Sequence, residues 1–176
     1  SWGANNYGTL GDGTTVNKIN PIQIGTDTDW IYVGAGYHHS FAIKSNGTLW
    51  AWGHNASGQL GDGTILNKLV PIQIGTATDW LKVSGGESHS VAIKTDGTLW
   101  TWGSDTQGQL GNGADGANNV PTQVGSASDW IDIDAGRYHV IALKNTNKIY
   151  TWGFNGNGQI GNGSAGTNQT VPYLVT

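Results

Sequence analysis

The chain repeats itself with a period of 50 residues over its whole length. Trp-Gly pairs begin at Trp2, Trp52, Trp102 and Trp152. Asp-Trp pairs keep the same period at residues 29–30, 79–80 and 129–130. Aligned without gaps, residues 2–51 and 52–101 are identical at 31 of 50 positions, which shared composition does not explain. Since a fixed period of roughly 20–50 residues marks a stacked structural unit, each repeat must be one element that packs on its neighbours.

Each repeat contains the pattern of four short antiparallel strands. Residues 90–94 and 99–102 are rich in β-forming side chains and flank Asp96-Gly97, a dipeptide that favours a type I′ hairpin turn. The first repeat has Asn-Gly at the same place. Residues 80–83 supply a strand before this hairpin, and residues 120–124 supply an edge strand after it. Because helical periodicity is absent, the sequence predicts an all-β fold, a β-propeller of four-stranded antiparallel blades.

The chain supplies three complete strand sets and half of another. Within a single repeat domain, residues 1–176, we expect a half-blade at 1–24 and complete blades at about 30–74, 80–124 and 130–174. A closed propeller needs at least four blades. The half-blade therefore predicts either a piece of a longer protein or a partial propeller that other chains complete as a ring or filament. The large side chains of Trp102 and Trp130 should fill the gaps between blades.

Composition argues against several classes of function. With a net charge of −4 and only eight Lys and Arg residues, the chain lacks the clustered cations that nucleic-acid binding needs. It contains no Cys, so disulfides and thiolate metal sites are ruled out. No apolar run approaches the length of about 20 residues that crosses a bilayer, so we expect no membrane insertion. The nine Trp residues and the low charge predict an ordered chain.

Two motifs carry a family resemblance. Trp52-Gly-His-Asn-Ala-Ser-Gly-Gln-Leu-Gly61 and Gly86-Glu-Ser-His-Ser-Val-Ala-Ile-Lys94 resemble the two halves of the regulator-of-chromosome-condensation repeat, and both halves recur in order. The resemblance implies a propeller, usually of seven blades, whose blades take strands from adjoining repeats. The loops and basic tails with which family members act on a small GTPase or grip chromatin have no matching residues here. The composition is similar to that of secreted bacterial members, one of which inhibits β-lactamases, so we expect a bacterial protein at the cell surface or outside the cell.

Residues that could carry chemistry have simpler structural interpretations. His39, His89 and His139 recur at the 50-residue period, and we expect each to bond a nearby backbone group rather than a metal. Asp132 and Asp134 point to one side of a strand as a pair of acid/base carboxylates would, but no second group converges on them. The Gly-rich runs lack the context of a phosphate or calcium loop and should be turns. We therefore predict no enzyme activity, no cofactor and no metal.

A partner would bind where the repeats differ, because all copies must satisfy the same packing. The differences fall in loops at residues 4–7, 54–57, 104–107 and 154–157, and in loops at residues 37–38, 87–88 and 137–138. Exposed Tyr and Arg are favoured at interfaces, and His38 and His54 should be solvated. The predicted partner-binding residues are Tyr37, His38, Glu87, Arg137, Tyr138, Asn6, Tyr7, His54, Gln107 and Phe154.

These observations favour a non-enzymatic propeller scaffold that binds an unknown protein, or serves in adhesion, through its variable blade loops. The alternative is a structural protein whose incomplete blades assemble with other chains by self-association. A glycan-processing enzyme or an enzyme inhibitor is less consistent with the pattern.

Overall fold

The computed structural model describes residues 1–114 and 116–176; Asp115, in a loop of the second repeat, lies outside the described residues. Twelve strands occur among the described residues, and helices do not. In the first blade they are β1 (Trp30–Ala35), β2 (His39–Lys44), β3 (Leu49–Gly53) and β4 (Lys68–Gln73). In the second they are β5 (Trp80–Gly85), β6 (His89–Lys94), β7 (Leu99–Gly103) and β8 (Asn118–Gln123). In the third they are β9 (Trp130–Ala135), β10 (His139–Lys144), β11 (Ile149–Gly153) and β12 (Gln169–Leu174).

Each blade is a four-stranded antiparallel sheet in which consecutive strands are neighbours. The predicted fold class is confirmed, and the predicted strands are found with ends shifted by one or two residues. The register repeats as well: Ile43 pairs with Leu49 in the first blade, and Ile93 pairs with Leu99 in the second. The first strands β1, β5 and β9 contact one another from blade to blade. The repeat in sequence is therefore a repeat in three dimensions.

The predicted type I′ turns are wrong. Asn46 and Asp96 do not have positive φ, whereas Gly47 has φ of 77° and Gly97 has φ of 79°. The Gly47 N–H donates to the Lys44 carbonyl at 2.8 Å, as in a type I turn followed by a glycine bulge. The third blade has Asn147 at this position, with φ of 59°.

Apolar side chains from adjacent blades form the core. Between the first and second blades, Phe41 and Ile43 pack with Val83 and Trp102, all at most 1% exposed. Between the second and third, Val91, Ile93 and Leu99 pack with Trp130, Val140 and Trp152. The prediction that Trp102 and Trp130 fill gaps between blades is confirmed, with 0% and 4% of their surfaces exposed.

Residues 1–24 keep the pairing of an outer strand pair without forming regular strands. The Ile22 N–H donates to the Ser1 carbonyl at 2.9 Å, and the Gly3 N–H donates to the Lys18 carbonyl at 2.7 Å. This is the register that joins the third and fourth strands of each complete blade. The segment therefore has the form of half a blade, shortened to a single bridge.

Two further searches covered residues 1–114 and 116–176. Neither a helix long and apolar enough to cross a membrane nor a group of three or more potential metal ligands was found there.

Candidate functional site

Tight loops between the first and second strands of each blade form a row at one end of the molecule. The Tyr37 N–H donates to the Gly86 carbonyl at 2.9 Å, and the Glu87 N–H donates to the Arg137 carbonyl at 3.0 Å. These backbone bonds join each loop to the same loop of the next blade. Side chains that differ between repeats are thereby brought side by side.

Four of the predicted partner-binding residues form an aromatic cluster at this end. The Tyr7 ring lies 4.9 Å from the His38 ring and 4.5 Å from the His54 ring, measured between centroids. The Tyr37 ring lies 4.6 Å from that of His38. Tyr37 is 63% exposed, so the cluster presents an aromatic surface to solvent.

The prediction that His38 and His54 are simply solvated is wrong, since both are only partly exposed within this cluster. The His54 Nδ1 atom lies 2.8 Å from the Gln59 amide nitrogen, within hydrogen-bonding distance. Burial, with a smaller effect from His38, lowers the pKa of His54. The neutral ring is therefore favoured.

The other cluster is built around an ion pair between neighbouring blades. The Arg137 guanidinium donates to both carboxylate oxygens of Glu87, and it lies 4.9 Å from the centroid of the Tyr138 ring. Tyr138 in turn stands 6.2 Å from Phe154, edge to face. The Arg137 hydrogen bond lowers the pKa of Glu87, and the hydrogen bond to Glu87 raises the pKa of Tyr138. The pair is therefore charged at neutral pH, and it fixes the orientation of the tyrosine.

One contact joins the two clusters. The Arg137 guanidinium carbon lies 5.9 Å from the centroid of the Tyr37 ring, which belongs to the preceding pair of loops. The eight connected residues, called the aromatic strip below, are Tyr7, Tyr37, His38, His54, Glu87, Arg137, Tyr138 and Phe154. No contact places the two other predicted residues in it. Asn6 is exposed, and the Gln107 side-chain oxygen accepts a hydrogen bond from Asn168 at 2.8 Å.

One residue inside the predicted variable loops is structural. Asn55 is fully buried: its amide nitrogen donates to the Thr64 and Leu66 carbonyls at 3.1 Å, and its side-chain oxygen accepts the Leu60 N–H at 2.9 Å. It thereby shapes the loop that carries His54. Asn is present at the equivalent position in three of the four copies, a signal that the window of residues 54–57 obscured.

The periodic histidines are buried, but the expectation that their rings bond backbone groups was wrong for two of them. The His39 Nε2 atom lies 3.2 Å from the Ser90 hydroxyl, and neither ring nitrogen of His89 has a hydrogen-bond partner. Val140 stands where His89 would need the counterpart of Ser90. Burial lowers the pKa of both rings to about 3, with smaller contributions from neighbouring histidines. They are neutral packing groups within the row of blades.

The two strand carboxylates are engaged by the preceding blade. Asp132 accepts from the Lys82 ammonium at 2.8 Å, and Asp134 accepts from the Ser84 hydroxyl at 2.8 Å. The Lys82 hydrogen bond lowers the pKa of Asp132. A general acid needs a raised pKa, so Asp132 is unsuited to that role.

Sequence reasoning missed a repeated aromatic clamp at the opposite end of the blades. The Lys94 ammonium lies 4.9 Å from the Trp80 ring and 4.5 Å from the Trp100 ring, and it pairs with Asp79 at 3.1 Å. Lys44 and Lys144 repeat this arrangement in the other blades. Because it recurs unchanged, it is part of the blade framework.

Solved structures with this architecture are known. Human WBSCR16 superimposes with a TM-score of 0.84 at 22% identity, over 98% of this chain and 46% of its own. Yeast RCC1 (Prp20), solved bound to Kap60, gives a TM-score of 0.87 at 22% identity, over 99% of this chain and 44% of its own. A structure of Prp20p from Saccharomyces cerevisiae, titled with its binding properties to Gsp1p and histones, gives 0.74 at 24% identity, over 84% of this chain and 38% of its own. The chain thus spans less than half the length of each.

Family models match nearly the whole sequence. The regulator of chromosome condensation (RCC1) repeat is matched at residues 1–43, 46–93, 96–143 and 147–176. A second model of the same repeat is matched at residues 30–59, 80–109 and 130–159. With the repeated blades described above, these matches show that the chain belongs to the regulator of chromosome condensation (RCC1) repeat family.

Proposed function

We propose that this chain is a non-enzymatic binding module that recognises a protein partner through the aromatic strip. The observation that carries the proposal is the convergence of eight variable residues, scattered from Tyr7 to Phe154 in sequence, into one connected surface. The shared packing of the repeats does not require these residues, because they differ from copy to copy. Their grouping at one end of the blades is what a recognition surface on a rigid scaffold needs.

The chemistry of the strip suits a protein surface. Tyr and Arg are enriched among the residues that dominate interface energies, and Tyr37 and Arg137 are both well exposed, each at 63%. The ion pair with Glu87 and the ring contacts hold these side chains in place before a partner arrives. Binding then costs less side-chain entropy than it would with free rotamers.

Other family members support the proposal at the level of the fold. The structure titles name Kap60, Gsp1p and histones as proteins bound by Prp20. At identities below 25%, we transfer to this chain only the idea that such a propeller presents a protein-binding surface. The absence of nucleic-acid binding, a role in adhesion and a location outside a bacterial cell stay predictions from composition.

The proposal can be tested without knowing the partner. A random peptide library displayed on phage is selected against the wild-type chain, and the affinities of enriched peptides are measured. The strip variant is the double substitution Tyr37→Ala and Arg137→Ala. The control is Thr95→Ala with Lys148→Ala, because these exposed residues lie in the hairpin turns at the opposite end of the blades.

We expect enriched peptides to bind the wild-type and control chains equally and the strip variant at least about tenfold more weakly, as loss of interface anchors does. Peptides that bind the strip variant as tightly as the wild type, while losing affinity for the control, would overturn the proposal. Far-ultraviolet circular dichroism of each variant confirms that the blades are intact.

A further inference from the structure

The contacts between adjacent blades follow a rule that the two ends of the chain leave unfinished. In each blade, the indole N–H of one Trp donates to a loop carbonyl that precedes it by 43 residues. The three examples are Trp52 to Thr9 at 2.8 Å, Trp102 to Gln59 at 2.8 Å and Trp152 to Gln109 at 3.0 Å. The next acceptor in this series is the Gln159 carbonyl, and the donor that precedes the series is Trp2. Trp2 is 65% exposed and makes no such bond within the described chain.

A second series of backbone bonds ends in the same way. Glycine N–H groups of one loop donate at 2.9 Å to the outer strand of the next blade, from Gly13 to Leu69, Gly63 to Asn119 and Gly113 to Thr170. The next donor is Gly163. The carbonyl equivalent to that of Leu69, 50 residues earlier, belongs to Ile19, whose side chain is 93% exposed.

The space around one loop glycine supports the same pairing. A Cβ atom at Gly8 would lie 2.5 Å from Leu69, and one at Gly58 would lie 2.7 Å from Asn119, so the outer strand of the next blade closely covers both loops. At the equivalent Gly158, the nearest atom would be 3.9 Å away. The position that Ile19 would occupy is therefore open.

The sheet faces at the two ends are also those that pack together inside the molecule. Phe41 and Val91 are at most 1% exposed because the next blade covers them, whereas the equivalent Ile141 of the third blade is 42% exposed. Phe41 meets Trp102 with ring centroids 6.1 Å apart. Since Trp2 is the equivalent of Trp102, it would pack on Ile141.

We propose that copies of this chain associate head to tail. The half-blade of one copy, residues 1–24, packs on the outer loop of the third blade of another copy, residues 154–163. Trp2 of the first copy donates to the Gln159 carbonyl of the second, and Gly163 of the second donates to the Ile19 carbonyl of the first. Such a contact joins two different surfaces, so it leads to a ring or filament rather than a twofold dimer. Tyr37 and Arg137 lie outside this contact, so its test is independent of the proposed function.

The experiment measures the mass of the 176-residue chain by sedimentation from about 1 µM to about 1 mM, the range of dissociation constants of weak interfaces. The head variant carries Trp2→Ala and Ile19→Asp, and the tail variant carries Ile141→Asp. The control is Ile65→Asp, an exposed apolar residue at neither end. All three sites are at the surface, and circular dichroism checks that each variant is folded.

We expect the mass of the wild type and of the control to rise with concentration, while each end variant alone stays monomeric. Mixing the head and tail variants should give a dimer and nothing larger, because only one intact head and one intact tail remain. A mixture that stays monomeric while the wild type associates would overturn head-to-tail docking. A wild type that stays monomeric throughout would also overturn it, and would leave further repeats as the occupants of both faces.

Discussion

Acid should destabilise this protein well above the pH at which carboxylates titrate, because two histidines are buried in neutral form. The pKa of His39 and of His89 in the folded chain is about 3, against an ordinary value of 6.5. The unfolded chain therefore takes up protons first as the pH falls. The stability that these groups contribute is fully present above about pH 6.5 and is lost progressively down to about pH 3.

The size of the loss follows from the shift. Each pH unit below 6.5 costs about 1.4 kcal/mol per histidine, so at pH 5 each ring costs about 2 kcal/mol and the two together cost about 4 kcal/mol. Burial lowers the pKa of His54 and His139 as well, which adds in the same direction. Since domains are stable by about 5–15 kcal/mol, this is a large share of the total.

Urea unfolding followed by Trp fluorescence at pH 7 and at pH 5 measures this loss directly. At pH 5 the carboxylates of the unfolded chain are still mostly ionised, so the histidines dominate the difference. His89→Leu should remove about half of the loss from the two buried rings, and it leaves no new unpaired group because neither ring nitrogen of His89 has a partner. Equal free energies of unfolding at the two pH values, or a pH dependence that His89→Leu leaves unchanged, would refute this reasoning.

Two substitutions test the packing between blades, each with a matched control. Trp102→Ala removes a fully buried side chain and should cost about 3–5 kcal/mol, whereas Trp2→Ala at the exposed equivalent should change stability by less than about 0.5 kcal/mol in dilute protein; urea titration of both distinguishes them. Gly97→Ala adds a Cβ atom 2.3 Å from the Ser128 carbonyl oxygen at a φ of 79°, and should cost more than about 2 kcal/mol. Gly125→Ala, at a φ of 61° in open space, should cost only about 1–2 kcal/mol in the same assay, so equal effects would show that the contact between blades does not matter.

The repeat made the architecture predictable, because a strand pattern seen three times is constrained three times. The turn type was not predictable in the same way. An Asp-Gly or Asn-Gly dipeptide fits several hairpin turns, and the choice here follows from the pairing of Ile93 with Leu99, which encloses five residues. Comparison of copies shows which residues recur, but it does not show the register between two strands.

The site was predicted in its membership more than in its connections. Variation between repeats singled out Tyr37 and Arg137, but nothing in the sequence shows that the guanidinium of one reaches the ring of the other across two blades. The environment of His89 was missed for a similar reason. It depends on Val140 of the neighbouring blade, and the position equivalent to Val140 is Ser in the two other complete blades.

Hydrogen exchange of the chain, alone and with a selected peptide bound, is the most direct test of the aromatic strip as the binding surface. The account predicts slower exchange in the strip loops at residues 36–38, 86–88 and 136–138. It predicts unchanged exchange in the turns of the opposite end, at residues 45–47 and 95–97. Protection confined to those turns, with the strip loops unaffected, would contradict it.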